Sequence, residues 1–228
     1  MTSGGEVVMT RQEMIIQGRD LLGEFFGTPG DADPFAWSRL VSTAADEIAR
    51  ATDCFYTTAT ADLVSGQAEY CAPQITKVKA VSVYDASGAR RTIGSATIGG
   101  MDEWSGGWRD EAASTPEMWI PTGLNQIVLY PAPSYSAAGG LVLEGYGVPG
   151  VGWSAMSAAC PLPDRAHMAV VYKAALLRII QNPTSDNMAR RAMLADEFAD
   201  MKGKLEAETR RQTYPRPLPS SVLPCEGR

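Results

Sequence analysis

Few residues in this chain have the type and spacing to do chemistry. The single histidine is His167, so nucleophile–base catalysis by a Ser-His or Cys-His pair would have to pass through it. No nucleophile elbow is present, and His167 directly precedes Met168 of an apolar stripe, which predicts a helix-surface residue rather than a base. Paired carboxylates stand at Asp102/Glu103 and Asp110/Glu111. Two carboxylates can serve glycoside hydrolysis, but sequence spacing does not set their facing distance, and solvated loop charge is the ordinary reading. Trp104, Trp108, Trp119 and Trp153 could line a sugar-stacking face or fill a small β core. Cys54, Cys71, Cys160 and Cys225 are scattered without a C-x-x-C pair, so zinc has no clustered ligands and reduced thiols are the default. No glycine-rich phosphate loop stands between a strand and a helix. These residues predict a protein that is not an enzyme, with no catalytic set, no metal site and no cofactor.

The totals narrow the class of partner. The chain has 228 residues, is 45% hydrophobic and 20% charged, and carries a formal net charge of -6. That balance disfavours a duplex-binding protein, which needs cations to displace counterions from phosphate. An acidic wall beside DNA passing through a pore would instead prevent sticking. No apolar run approaches a membrane span, and the first residues lack a signal-peptide layout, which predicts a cytosolic protein with no membrane partner.

The stretch from Gln126 to Ile180 shows how elements would position these residues. Ile127–Tyr130 and Leu141–Gly147 are short apolar runs around a Pro/Ser/Gly turn region, which predicts a β-hairpin. The period then becomes helical, with Met168, Val171, Tyr172, Ala175, Leu176 and Ile179 on one stripe. Upstream, Thr10 and Glu13 form a capping box for a helix carrying Met14, Leu21, Leu22 and Phe25, stopped by Gly27, Pro29 and Gly30. Asp33 and Pro34 start a second helix with Trp37, Leu40, Val41, Ala44, Ile48 and Ala51, reaching about Asp53. Ala68–Cys71, Ile75–Tyr84, Arg90–Ser95 and Met118–Ile120 read as further strands. Lys77 and Lys79 share a parity with Val81 and Val83, which predicts either a bulge near Lys79–Ala80 or a strand passing from edge to interior. Thr97–Ala113 reads as a loop with a short helical turn pinned by tryptophans. A last helix begins at Thr184 or Ser185, with Leu194, Phe198, Met201 and Leu205 as its stripe. The chain ends in TYPRPLPSSVLPCEGR, whose prolines preclude helix.

The predicted fold is α+β. N- and C-terminal helix pairs close into a four-helix bundle, with an inserted antiparallel β domain of about six strands, a small sandwich or barrel, and an extended C-terminal tail. The expected units are residues 1–56, 57–160, 161–212 and 213–228. Tyr214, Leu218, Val222 and Leu223 sit on the proline-stiffened tail, which loses less entropy than a free coil on docking into a partner's groove.

Several phrases, in this order, resemble the head-to-tail adaptor (connector) proteins of tailed bacteriophages. They are RQEMII at Arg11–Ile16, a helix centred on Trp37 with Leu40 and Ile48, LYPAP at Leu129–Pro133, LVLEGYGVP at Leu141–Pro149, and LPDRA at Leu162–Ala166 opening a helix with AVVYKAA. The likeness spans roughly Arg11 to Leu205, and the PRPLPSSVLP end matches no family wording. The resemblance implies a structural role in the virion at the head-to-tail interface, assembled in the host cytoplasm. It implies a homo-oligomeric ring, a dodecamer matching the portal, that binds the portal protein and a downstream tail or nozzle protein. DNA would pass through its channel without sequence-specific binding. The family's portal-clasping C-terminal segment would correspond by position to Tyr214, Pro215, Pro217, Leu218, Pro219, Val222 and Leu223. The helical part would form the ring body and the β unit would project from it. A tail-completion or neck protein of the same virion is the neighbouring alternative, and a carbohydrate-binding β module using Trp104 and Trp108 the more distant one.

Overall fold

The computed structural model of the protein describes residues 8–24, 34–123, 125–150, 153 and 155–213. Helix α1 spans Arg11–Leu22, and the capping box forms as expected: the Thr10 hydroxyl accepts from the Glu13 N–H, and the Glu13 carboxylate accepts from the Thr10 N–H at 2.7 Å. The helix stops at Leu22, earlier than its stripe predicts, because Gly23 takes a left-handed conformation (φ 71°) and caps the Arg19 and Asp20 carbonyls. Phe25, the Gly27-Pro29-Gly30 stop and the Asp33 cap lie outside the described residues. Helix α2, Pro34–Thr52, buries Trp37, Leu40, Val41, Ala44 and Ile48, while Ala51 faces solvent. It meets α1 at Gly18, where an added Cβ would lie 2.6 Å from Trp37 Cζ3, so the indole can only lie flat against a glycine.

Helix α4 spans Asp164–Gln181 and α5 spans Ser185–Thr213, with a short α3 (Ile98–Trp104) between the strands. The expected four-helix bundle is not formed. Helix α4 lies centrally and packs against α1, α2 and α5, so the helices make a layer around one rod instead of two pairs closing on each other. The reason is visible in α4 itself. Ala166, Ala169, Val170, Val171, Ala174, Ala175 and Ile179 are all buried, and they cover most of its circumference. A helix that apolar must be enclosed from several sides. Met168, Tyr172 and Leu176, read as core from their period, are only half-buried.

The chain's start is tied into this layer. Thr10 and Ala159 form an antiparallel bridge, flanked by backbone bonds from Cys160 N–H to the Met9 carbonyl (2.9 Å) and from Arg11 N–H to the Ala158 carbonyl (3.0 Å). The buried Arg11 guanidinium then donates to the Trp153 carbonyl, to the Ser38 carbonyl at 2.7 Å and to the Ser42 hydroxyl, and it lies over the Trp153 ring at 5.4 Å. One side chain thereby joins α1, α2 and the segment leading into α4, and burial lowers its pKa.

The β part is one seven-stranded, curled half-barrel, not the small sandwich or closed barrel expected. Its strands are β1 (Tyr56–Leu63), β2 (Glu69–Cys71), β3 (Ile75–Tyr84), β4 (Arg90–Ser95), β5 (Met118–Pro121), β6 (Gln126–Tyr130) and β7 (Ala137–Gly147), ordered β1-β7-β3-β4-β5-β6-β2. The additional strand is β1, whose Thr/Ala alternation at a sheet edge carries too little apolar signal to stand out. The predicted hairpin does not exist. β6 pairs with β5 and β2, whereas β7 runs between β1 and β3. Apolar runs either side of a turn show that both are strands but not which neighbours they choose.

Both readings of β3 prove correct. Its pairing with β7 shifts between Val78 and Ala80, and it gains its second neighbour, β4, only from Val81. At the bulged end its backbone presses on β7: a Cβ at Gly145 would collide with the Lys77 carbonyl oxygen. Nor is the sheet wholly antiparallel. β4 and β5 pair in parallel, which requires a crossover, and residues 98–110 supply it as α3 and a 3-10 turn at Trp108–Asp110. The inner face packs Leu63, Tyr70, Val81, Ile93, Leu129 and Leu143 among others, while the crossover covers Ile120 and Tyr130 on the outer face.

Replacing Arg11 with Met keeps its stem but strands the Trp153 carbonyl, whereas the Ser38 carbonyl keeps the Ser42 hydroxyl as a donor. The expected cost is about 1–3 kcal/mol, read as a lower urea midpoint at unchanged m-value.

Candidate interaction surfaces

The residues with chemical potential fall into three separate places. His167 is in the helical layer and buried, not on a helix surface as predicted. Its Nδ1 accepts the Met9 N–H at 3.2 Å and its Nε2 lies 3.0 Å from the Leu162 carbonyl. The first bond needs an unprotonated Nδ1, so the neutral ring carries its proton on Nε2 and donates it to Leu162. Both nitrogens are spent joining the chain's start to the entry of α4. A one-residue period gave no hint of this, because the face beside the stripe is buried too. Cys54 and Cys160 lie in the same layer; burial pushes Cys160 up to about 12 and raises Cys54, which makes both poor nucleophiles. Cys71 is exposed, and Cys225 is outside the described residues. Among the described residues no group of three or more His, Cys, Asp or Glu could hold a metal ion, and no helix is long and apolar enough to cross a membrane.

The four tryptophans do not share a face. Trp119 is inside the half-barrel and Trp153 is in the helical layer, where its indole N–H donates to the Ala158 carbonyl at 3.2 Å. Trp104 and Trp108 are together on the crossover, and both meet the Tyr130 ring edge-on, with centroids 5.8 and 5.9 Å away. Trp108 is buried and carries the Arg109 guanidinium 4.3 Å above its ring, so that ring is not open to a sugar. Trp104 is 64% exposed.

The acidic pairs are arranged around these rings. Asp102 Oδ1 accepts from the Trp108 indole N–H and from Arg109 Nη1, each at 2.8 Å. Those bonds, the Trp108 one first, hold its carboxyl below the usual range, the opposite of what a general acid needs. Glu111 accepts the Tyr130 hydroxyl, and that bond, more than burial, pushes the phenol up to about 12. Ile98, Trp108, Arg109, Glu111, Val128 and Tyr130 line part of a cavity of about 240 Å³ beneath the crossover. Glu111 pins the crossover flap to the sheet at Tyr130, and Asp102 braces the flap internally. The predicted docking residues Tyr214, Pro215, Pro217, Leu218, Pro219, Val222 and Leu223 lie outside the described residues.

The Tyr130–Glu111 bond has a pH signature. A phenol whose folded pKa is raised stabilises the fold fully below its unfolded value near 10, and that stability is lost as pH rises towards 12. Absorbance titration should show one late-ionising tyrosine, and Glu111→Gln should return it towards 10.

No curated protein matches the chain. The sequence model of one protein family, described as SU10 adaptor protein, matches residues 9–220, nearly the whole chain. That range begins at the clamp on His167 and includes both helical and β parts. Such adaptors are structural proteins of the phage head-to-tail junction. The chain belongs to the SU10 adaptor protein family.

Proposed function

We propose that the protein is one subunit of an adaptor ring seated beneath the portal, with the portal's dodecameric symmetry, extending the DNA channel and docking the next tail component. The observation that carries this reading is the family match over residues 9–220. The described geometry supports it, since Asp102, Glu111 and His167 are bonded within the fold and the Cys160 thiol is buried. The net charge of -6 suits a wall past which DNA must slide without sticking.

The parts take different duties. The helices of residues 1–56 and 161–212, with Val148, Trp153 and Cys160 packed into their core, form the body of the ring, and the half-barrel that makes up most of residues 57–160 projects from it to meet the tail. Residues 213–228 are the strap that grips the portal, with Tyr214, Leu218, Val222 and Leu223 as apolar contacts and Pro215, Pro217 and Pro219 keeping the strand extended. Helix α5 ends at Thr213, so the strap leaves from the end of a 29-residue rod. Each docking is weak, and repetition around the ring makes the hold strong.

Full-length chain and a chain lacking residues 214–228 can each be mixed with purified portal and co-sedimented. Loss of at least about tenfold in apparent affinity on deletion is expected, since every strap is removed at once. Unchanged binding would refute the strap.

A further inference from the structure

The crossover flap and a cleft between α5 and strands β3 and β7 have complementary features. The flap, residues 98–111, presents Trp104, and its four carboxylates outnumber its one guanidinium, Arg109. It is held firmly. Thr97 caps α3 through the Gly100 N–H at 3.1 Å, and Trp104 and Trp108 are braced on Tyr130. A braced, exposed tryptophan loses little entropy on contact and is the commonest kind of interface anchor.

The cleft, about 400 Å³, is lined in part by Asp53, Lys77, Lys79, Tyr146, Glu206 and Arg210, where the last turns of α5 cross β3 and β7. Lys79 lies over the Tyr146 ring at 5.6 Å, and Asp53 is already bonded to Lys77 at 2.6 Å. Lys79 and Arg210 are exposed, and both are suited to flank an indole and to face the flap's carboxylates. Trp104 packs on Tyr130 and is not among the residues that line the cleft, so the chain does not make this contact with itself.

We infer that the occupant of the cleft is the flap of a second copy of this chain, anchored by Trp104 between Lys79 and Arg210. Each copy then carries both halves of the contact on different surfaces. Such a head-to-tail interface generates a closed ring when its rotation permits. The inference rests on the ring reading above and identifies the surfaces that would build it.

Sedimentation velocity of full-length chains, alone and with purified portal, tests it. Trp104→Ser, and separately Lys79→Glu with Arg210→Glu, should each raise the concentration needed for assembly at least about tenfold. Circular dichroism should stay unchanged, and a small fall in Tm for Trp104→Ser is expected from the lost edge-on contact with Tyr130. A mixture of the two variants retains one intact contact and should stop at heterodimers. Assembly of either variant at the wild-type concentration would overturn the contact while leaving the ring reading intact. A wild-type chain that stays monomeric with and without portal would overturn both.

Discussion

The structure depends on the need to enclose α4. Its buried residues run round most of the helix, and each buried methyl-bearing side chain contributes on the order of 1–2 kcal/mol only if water is excluded from it. Three helices are therefore recruited to it, and Val148, Trp153, Cys160 and Leu162 belong to the same core as the helix stripes. Two polar side chains that this enclosure buries join its parts. Arg11 serves carbonyls on two elements, and His167 serves one group on each side of its ring. Leaving such groups unpaired would cost about as much as a lost cavity-filling side chain.

A similar linkage operates at the other end of α1. The Glu24 carboxylate accepts from the Trp37 indole N–H at 3.0 Å and pairs with Arg178 at 3.1 Å, while Arg190 donates to the Leu21 carbonyl at 2.9 Å. The short helix α1 is thus pinned at its start by the Arg11 cluster and at its end by residues from α2, α4 and α5. A 12-residue helix is marginal by itself, so these contacts account for its order.

The half-barrel has a different logic, and its outward parts follow from topology. A parallel β4–β5 pair forces a crossover, the crossover must cover one outer patch of the sheet, and its own exposed side then becomes available to a partner. An adaptor needs such surfaces on a body that does not deform. Here the rigid helical layer and the flap occupy distinct regions, and the ionisable groups nearest the flap act as struts. At the flap, Asp102 and Glu111 are bonded to neighbours within the fold, which keeps these two carboxylates chemically quiet.

Much of the local architecture could be read directly from the residues. The Thr10–Glu13 box, the α2 stripe, the α5 start, the short helix in the tryptophan loop and the limits of β3 and β4 all depend on neighbours within a few positions, and local pattern reports such interactions. The ordered phrases also carried enough family wording to point to an adaptor, which the family match bears out. Tertiary structure alone decided that β6 and β7 part company, that α4 is a hub instead of one wall of a bundle, that His167 is a buried strut, and that two tryptophans join the flap while two enter cores. Strand partner choice and the number of sides from which a helix is covered depend on residues far apart in the chain, and no period within one segment records them.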